Sequence, residues 1–191
     1  GERGGEAIAR ILAGDADPAG RIPVTFPRST GQIPIYSGRQ PSAGRGYLHS
    51  DPSPLFPFGS GLSYTSFVLG SVVATPTEIT IGELGNGAAI ELEVEIANSG
   101  LRRGSELIRV HILDTVASVA QPSRLAAFER VELTPGETTT VGLRLEEAAF
   151  ALIDQAMQKR IEPGEFELSV VAGDQHRKLM IRVHGGHGPP A

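Results

Sequence analysis

Strict alternation of apolar and polar residues is the feature that most constrains the fold of this chain. Ile90, Leu92, Val94 and Ile96 alternate with three glutamates, which is typical of a strand with one face in a core and one in water. The same period of two recurs in four further segments, 108–112, 141–145, 166–170 and 179–183. Weaker strands are predicted at 67–74, 125–133 and 157–161, and one helical turn at 146–152. About seven or eight short strands predict a mainly β, immunoglobulin-like antiparallel β-sandwich over residues 66–184.

The first 35 residues follow a different pattern. Ile8, Ile11 and Leu12 mark one apolar face of a short helix, and Gly14 is placed to end it. A type I turn beginning at Asp17 and a short edge-like strand over 21–26 are predicted next. One helix and one strand cannot bury their own apolar faces, so residues 1–35 are predicted to be the remnant of an α/β domain.

A loop and a rigid connection are predicted between these two parts, over residues 36–65. Residues 54–64 combine prolines and glycines with Phe56, Phe58 and Tyr64, which favours a fixed but irregular path with large apolar anchors. We therefore interpret Phe56, Phe58 and Tyr64 as an interdomain joint. The Gly-rich end, residues 185–191, is predicted to be a flexible tail.

Composition excludes several classes of function. The net charge of −5 is spread without a basic stripe, so neither nucleic acid nor an anionic membrane is an expected partner. The chain has no cysteine, which excludes thiolate metal sites and cysteine nucleophiles but leaves the compartment open. No apolar run approaches the ~18 residues of a membrane span. Nothing in the sequence calls for a cofactor or a metal.

Several motifs occur in the order found in one enzyme family. Gly-Asp-Ala-Asp-Pro-Ala-Gly-Arg-Ile-Pro-Val-Thr-Phe-Pro lies at 14–27 and Pro-Phe-Gly-Ser-Gly-Leu-Ser-Tyr at 57–64, with further matches at 4–9, 31–36, 116–122, 128–131 and 161–166. Together they resemble the C-terminal portion of glycoside hydrolase family 3 of the β-glucosidase type. That resemblance implies the end of an α/β sandwich domain followed by a fibronectin type III-like domain. Ser60, His111 and Lys159 depart from the family by standing where aromatic residues are common.

The resemblance also implies an activity. Enzymes of this family retain anomeric configuration, with an Asp nucleophile and a Glu acid/base that would both lie upstream of Gly1, and neither motif matches here. It implies upstream catalytic domains of the same protein as a partner, a β-linked oligosaccharide or glycoside as substrate, and a periplasmic or secreted location. The chain alone is expected to be inactive. Two alternatives stay open, an autonomous carbohydrate- or protein-binding module and, among enzymes, a β-xylosidase.

Residues of this chain that could contact a sugar lie in the loop 38–49. Arg39, Arg45 and Tyr47 offer fork-like donors and an aromatic face, which suit sugar hydroxyls and pyranose rings, although interdomain packing is an alternative role. Asp15 and Asp17 are interpreted as turn residues, and His111 as an ordinary surface residue. The spacing of His184 and His187 could suit a metal, but no third ligand is near, and we interpret both as tail residues.

Overall fold

The computed structural model describes residues 1–38 and 51–186. Helix α1 spans Gly4–Ala13, and a short 3-10 helix spans Thr30–Gln32. The remaining elements follow in the order β1 (Phe67–Thr75), β2 (Glu78–Thr80), α2 (Ile81–Gly85), β3 (Ile90–Asn98), β4 (Gly104–Asp114), β5 (Arg124–Leu133), β6 (Thr138–Leu145), α3 (Glu147–Phe150), β7 (Leu152–Ile153), β8 (Lys159–Arg160), β9 (Gly164–Ala172) and β10 (Gln175–His184). None of the helices in the described residues is long and apolar enough to cross a membrane.

Eight of the ten strands in the described residues form two facing sheets, and β7 and β8 form a separate pair. One sheet has three strands in the order β1-β3-β6, and the other has five in the order β2-β10-β9-β4-β5. All pairs are antiparallel except β2 with β10, which run parallel. The predicted mainly β sandwich is confirmed. The strand expected at 157–161 is shorter than predicted, because only β8 forms there and pairs with the two-residue β7.

The alternating residues of the strands share one core. Ile90, Leu92 and Val94 from the first sheet and Ile108 and Val110 from the second have no exposed surface. The rings of Phe150 in α3 and Phe166 in β9 meet edge to face, with centroids 5.3 Å apart. The glutamates that alternate with the β3 core residues lie on the outer face, as the alternation predicts.

Helix α2 and strand β2 were not anticipated. The Thr80 hydroxyl accepts a hydrogen bond from the Glu83 backbone N–H, and the Glu83 carboxylate accepts one from the Thr80 N–H at 2.8 Å. This reciprocal pair satisfies donors that a helix start would otherwise leave free, so five residues suffice for a helix.

Helix α1 and its end match the predicted pattern, whereas the following segment does not. Gly14 ends α1 in the left-handed region, with φ at 80°. No residue of α1 is buried, and Ile8 and Leu12 are 61% and 78% exposed. The predicted strand over 21–26 is wrong, because only Phe26 forms a β-bridge, with Phe56. The residues opposite are the irregular joint and not a strand, so no ladder can form.

The turn at Asp17 also differs from the prediction. The Ala19 N–H donates to the Asp17 carbonyl at 2.9 Å, which is a three-residue turn and not the four-residue type I turn. The Asp17 carboxylate is used elsewhere, as described below.

Side chains close one flank of the sandwich between the two sheets. The Gln175 amide on β10 accepts from the Leu69 N–H at 3.1 Å and donates to the Phe67 carbonyl at 2.7 Å. Arg177 adds a bond from Nη2 to the Leu69 carbonyl at 2.9 Å. These bonds reach the outer edge of β1, which among the described residues has a strand neighbour only on its β3 side.

Candidate functional site at the joint

The residues predicted to contact sugar, Arg39, Arg45 and Tyr47, lie outside the described residues, as does His187. His184 is the last residue of β10, and its Nε2 lies 2.9 Å from Glu78 Oε2 on β2, so it belongs to the sandwich. Within residues 1–38 and 51–186, no group of three His, Asp or Glu side chains could hold a metal ion. Of the residues predicted to have a function, the described ones are those of the interdomain joint, Phe56, Phe58 and Tyr64.

Phe56 connects the joint to the segment before the loop. The Phe26 N–H donates to the Phe56 carbonyl at 2.8 Å, and the two rings meet edge to face with centroids 6.4 Å apart. Phe26 and Phe56 are 46% and 52% exposed. The joint and residues 21–26 thus pair with each other, and their rings remain partly open to solvent.

Phe58 lies on the outer face of β4. Its ring meets that of His111 edge to face, with centroids 6.2 Å apart, and both residues are half-buried. Burial lowers the pKa of His111 below its ordinary value, and the nearby Arg109 charge lowers it further. The prediction of His111 as an ordinary surface residue is wrong, because the joint covers it.

Tyr64 links the joint to the end of helix α1. Its hydroxyl donates to the Ile11 carbonyl at 2.9 Å, and the Arg102 guanidinium lies over its ring, 5.7 Å from the centroid. Arg102 also donates to the Gly14 carbonyl at 2.7 Å. Tyr64 is therefore held mainly by polar contacts.

Asp17 fastens the joint from the side of α1. One carboxylate oxygen accepts from the Ser63 hydroxyl at 2.8 Å and from the Tyr64 N–H at 2.7 Å. The other oxygen lies 3.4 Å from the Ser105 N–H at the start of β4. A single carboxylate thus contacts the joint and the sandwich together.

Three charged side chains, which we call the buried charged cluster, lie beneath the joint. Arg21 Nη2 and Glu106 Oε2 are 2.7 Å apart, and each side chain is only 3% exposed. Arg109 is 6% exposed and donates to the Phe58 carbonyl at 3.2 Å. Burial lowers the pKa of Arg109, and the Glu106 charge opposes that effect.

Two glycines let the joint approach this cluster closely. Gly59 has φ at 81°, and a Cβ added there would lie 1.3 Å from Arg109 Nη1. A Cβ at Gly61 would lie 2.3 Å from the Gly20 carbonyl oxygen. Any side chain at Gly59 would be strained at this positive φ and would have to displace the Arg109 guanidinium or the joint.

A cleft opens beside the cluster, between the joint and one end of the sandwich. Its volume is about 1110 Å³, with Arg21 and Glu106 in its lining together with Phe26, Phe56 and Phe67. The joint and the sandwich therefore touch at the buried charged cluster. Beside the cluster, the cleft separates them.

Two family models match different parts of the chain. The model of the glycosyl hydrolase family 3 C-terminal domain matches residues 1–64, and that of the fibronectin type III-like domain matches residues 106–173. The chain belongs to glycoside hydrolase family 3.

Named relatives agree with the family 3 assignment. The chain is 38% identical to a β-xylosidase of Formosa agariphila, over 92% of this chain and 24% of that protein. It is 36% identical to a periplasmic β-glucosidase of Salmonella typhimurium, over 89% of this chain and 23% of that one. The chain therefore spans about a quarter of the length of the curated relatives it matches.

A solved structure agrees with the fold. A β-glucosidase from Erythrobacter marinus superimposes with a TM-score of 0.86 at 35% identity, covering 95% of this chain and 24% of that one. The fibronectin type III-like sandwich and the segments before it thus have the arrangement found in that β-glucosidase.

Sequence reasoning missed the buried charged cluster of this family 3 chain, although one signal was present. Glu106 has the same parity as Ile108, Val110 and Ile112, so the strand pattern places a carboxylate on the core-facing side of β4. A charge at such a position needs a partner. Nothing in the sequence identified that partner as Arg21, which lies 85 residues earlier.

Proposed function

We propose that this chain is the C-terminal portion of a retaining, exo-acting β-glycosidase that hydrolyses terminal β-D-glucosyl residues. The observation that carries the proposal is the presence of both family 3 domains, in order, on one chain. The names of the relatives, β-glucosidase and β-xylosidase, support the reaction class. The chain itself supplies a scaffold, and the catalytic nucleophile and acid/base belong to other parts of the family protein.

We also propose a division of the chain into three parts. Residues 1–35 belong to the α/β sandwich domain, 36–65 form the loop and joint, and 66–184 form the fibronectin type III-like domain. The apolar face of α1 supports this division, because Ile8 and Leu12 are exposed here and an α/β domain would cover them. The same face disfavours an autonomous binding module, which has no use for an uncovered apolar helix.

A β-xylosidase is the alternative within the enzyme class. Identity does not separate the two activities, because the β-xylosidase of Formosa agariphila is 38% identical and the periplasmic β-glucosidase 36%. The two substrates differ by the hydroxymethyl group at C5 of the sugar, and the residues that read it would lie outside this chain.

A contribution to substrate binding is proposed for the loop after Gly38. Arg39, Arg45 and Tyr47 lie outside the described residues, and their side-chain chemistry is the support for this role. In the full-length enzyme, Arg45→Ala should raise the Michaelis constant, while Arg182→Ala, at an exposed position of β10 in the sandwich, should leave it unchanged. Equal Michaelis constants for the Arg45→Ala variant and the parent would assign the loop to packing.

The proposal is tested with aryl β-glucosides and β-xylosides. The full-length enzyme should hydrolyse the glucoside with the higher kcat/KM, and the 191-residue chain should hydrolyse neither, because retaining catalysis needs two carboxyl groups about 5–5.5 Å apart. A higher kcat/KM for the xyloside would show that the enzyme is a β-xylosidase. Turnover by the purified chain alone, free of host glycosidases, would contradict the scaffold role.

A further inference from the structure

The buried charged cluster differs from the other ion pairs of the described residues. Arg21 and Glu106 are both 3% exposed, whereas pairs such as Arg103 with Glu132, at 2.9 Å, have side chains 66% and 53% exposed. An exposed pair contributes little to structure because water screens it, while a buried pair depends strongly on its geometry. Arg21 and Glu106 also come from different parts of the chain, the segment before the joint and strand β4.

Arg21 is held from several directions at once. Its Nη1 donates to the Gly20 carbonyl at 3.1 Å and to the Leu62 carbonyl at 3.4 Å, while Nη2 reaches Glu106. The second oxygen of Glu106 accepts from the Leu107 N–H at 2.8 Å. The guanidinium therefore ties the segment before the joint, the joint itself and β4 together in one geometry.

The other directional contacts between residues 14–26 and the sandwich are exposed or long. The Arg102 bond to the Gly14 carbonyl is exposed, and the Ser105 N–H lies 3.4 Å from the Asp17 carboxylate. The rings of Phe26 and Phe56 are about half exposed, and contacts between apolar surfaces tolerate sliding because they do not depend on direction. Any rotation of residues 14–26 that separates Arg21 from Glu106 leaves two charges unpaired in a site with little water, which is strongly unfavourable. The cleft beside the cluster leaves space into which an unrestrained joint could move.

We propose that the Arg21–Glu106 ion pair fixes the orientation of residues 14–26 and the joint on the fibronectin type III-like sandwich. The pair acts as a positioning device and contributes little to the stability of the sandwich itself. The aromatic residues of the joint supply contact area, and the ion pair selects one orientation. Arg109 supports this arrangement by holding the Phe58 carbonyl, with the Gly59 backbone lying directly against its guanidinium.

The test measures a distance across the joint. The chain contains no cysteine, so Val24→Cys, at an exposed position of the segment before the joint, and Thr140→Cys, at an exposed position of β6, place two unique spin labels. Pulsed electron paramagnetic resonance should give one narrow distance distribution for the labelled full chain. In Arg21→Met/Glu106→Leu the distribution should be at least about twofold broader, while the denaturation midpoint of the sandwich stays near that of the parent, because an apolar pair replaces the buried charges.

The matched control is Arg103→Met/Glu132→Leu, which makes the same substitutions at an exposed ion pair of the sandwich. Its distribution should stay as narrow as that of the parent. A narrow distribution in Arg21→Met/Glu106→Leu would overturn the proposal, since the remaining polar and apolar contacts would then suffice for orientation. Equal broadening in the control, or loss of cooperative unfolding in the Arg21/Glu106 variant, would overturn it as well. The double variant is used because the single variant Arg21→Met would leave the Glu106 charge buried without a partner and could fail to fold.

Discussion

The sandwich and the region before it are held together by different kinds of contact. In the sandwich, alternate residues of both sheets enclose a dry core, and several, such as Leu92 and Val110, have no exposed surface. Helix α1 buries no residue, and the segment that follows it is attached through single charged and polar side chains such as Asp17 and Arg21. Core burial provides most folding free energy, so the sandwich carries the stability of this chain, whereas the region before it depends on a few specific bonds.

The strongest test of this difference compares a core ring with an exposed apolar residue of α1. Phe166→Ala should lower the free energy of unfolding by about 3–5 kcal/mol, because it removes a buried ring and leaves a cavity beside Phe150. Leu12→Ala should change it by less than about 0.5 kcal/mol, since Leu12 is 78% exposed. Guanidinium denaturation of the full chain measures both. Similar losses in the two variants would show that α1 shares a core with the sandwich.

A second variant tests the border between the two regions, at Asn98. This residue is fully buried, and its amide donates to the Arg102 and Leu133 carbonyls at 2.7 and 2.9 Å while accepting from the Thr65 hydroxyl at 2.7 Å. Asn98→Ala leaves these groups unsatisfied, and we expect a loss of about 2–3 kcal/mol in the same measurement.

The control for Asn98 is Asn86→Ala, at the exposed end of α2, where the loss should stay below about 0.5 kcal/mol. If Asn98→Ala were equally mild, water would have to replace the amide, and the border would be wetter than its burial indicates.

A smaller effect is expected at the joint. Phe58 is half-buried against His111, so Phe58→Ala should lower the free energy of unfolding by about 1–2 kcal/mol, less than a fully buried ring. In the full-length enzyme the Michaelis constant should remain nearly unchanged, because the ring faces β4. The exposed Phe128 on β5 gives the comparison variant, Phe128→Ala, with a smaller loss. Intact stability with weakened substrate binding would instead make Phe58 part of the binding surface.

The smallest expected effect is a pH dependence from His111. Its pKa in the folded chain lies below the ordinary 6.5, so the unfolded state binds more protons as the pH falls through that value. Stability from neutral His111 is therefore fully present above pH 6.5 and decreases on acidification below it. Unfolding midpoints measured between about pH 5 and 8 should show a shallower decrease in His111→Gln than in the parent.

The histidine control is His176→Gln, at an exposed position of β10, which should keep the decrease seen in the parent. An unaltered slope in His111→Gln would mean that Phe58 does not cover the imidazole in solution.

The difference between the two regions also explains what could be predicted from sequence. The period of two predicted the strands of the sandwich because the alternation within each strand indicates which of its faces is buried. The apolar face of α1 and its end at Gly14 were also predictable, because both depend on neighbouring residues in the sequence. Helix α2 has a local signal as well, since Thr80 and Glu83 have the spacing of a capping box.

The joint could be located from sequence but not described in detail. Proline and glycine spacing identified an irregular connection, whereas the strand expected at 21–26 required a ladder partner that the joint does not provide. The buried charged cluster depends on contacts across 85 residues between Arg21 and Glu106 and 51 between Phe58 and Arg109. Such contacts arise from tertiary packing, which no local pattern encodes. The role of the loop residues Arg39, Arg45 and Tyr47 in substrate binding stays a prediction.

The side-chain bonds on the flank of the sandwich have a consequence for assembly between molecules. An edge strand with free backbone groups can recruit a strand from another chain and so begin aggregation. Here the Gln175 amide occupies the Phe67 carbonyl and the Leu69 N–H as a neighbouring strand would, and Arg177 takes the Leu69 carbonyl. The Phe67 carbonyl and both backbone groups of Leu69 are thereby closed to a strand from another molecule.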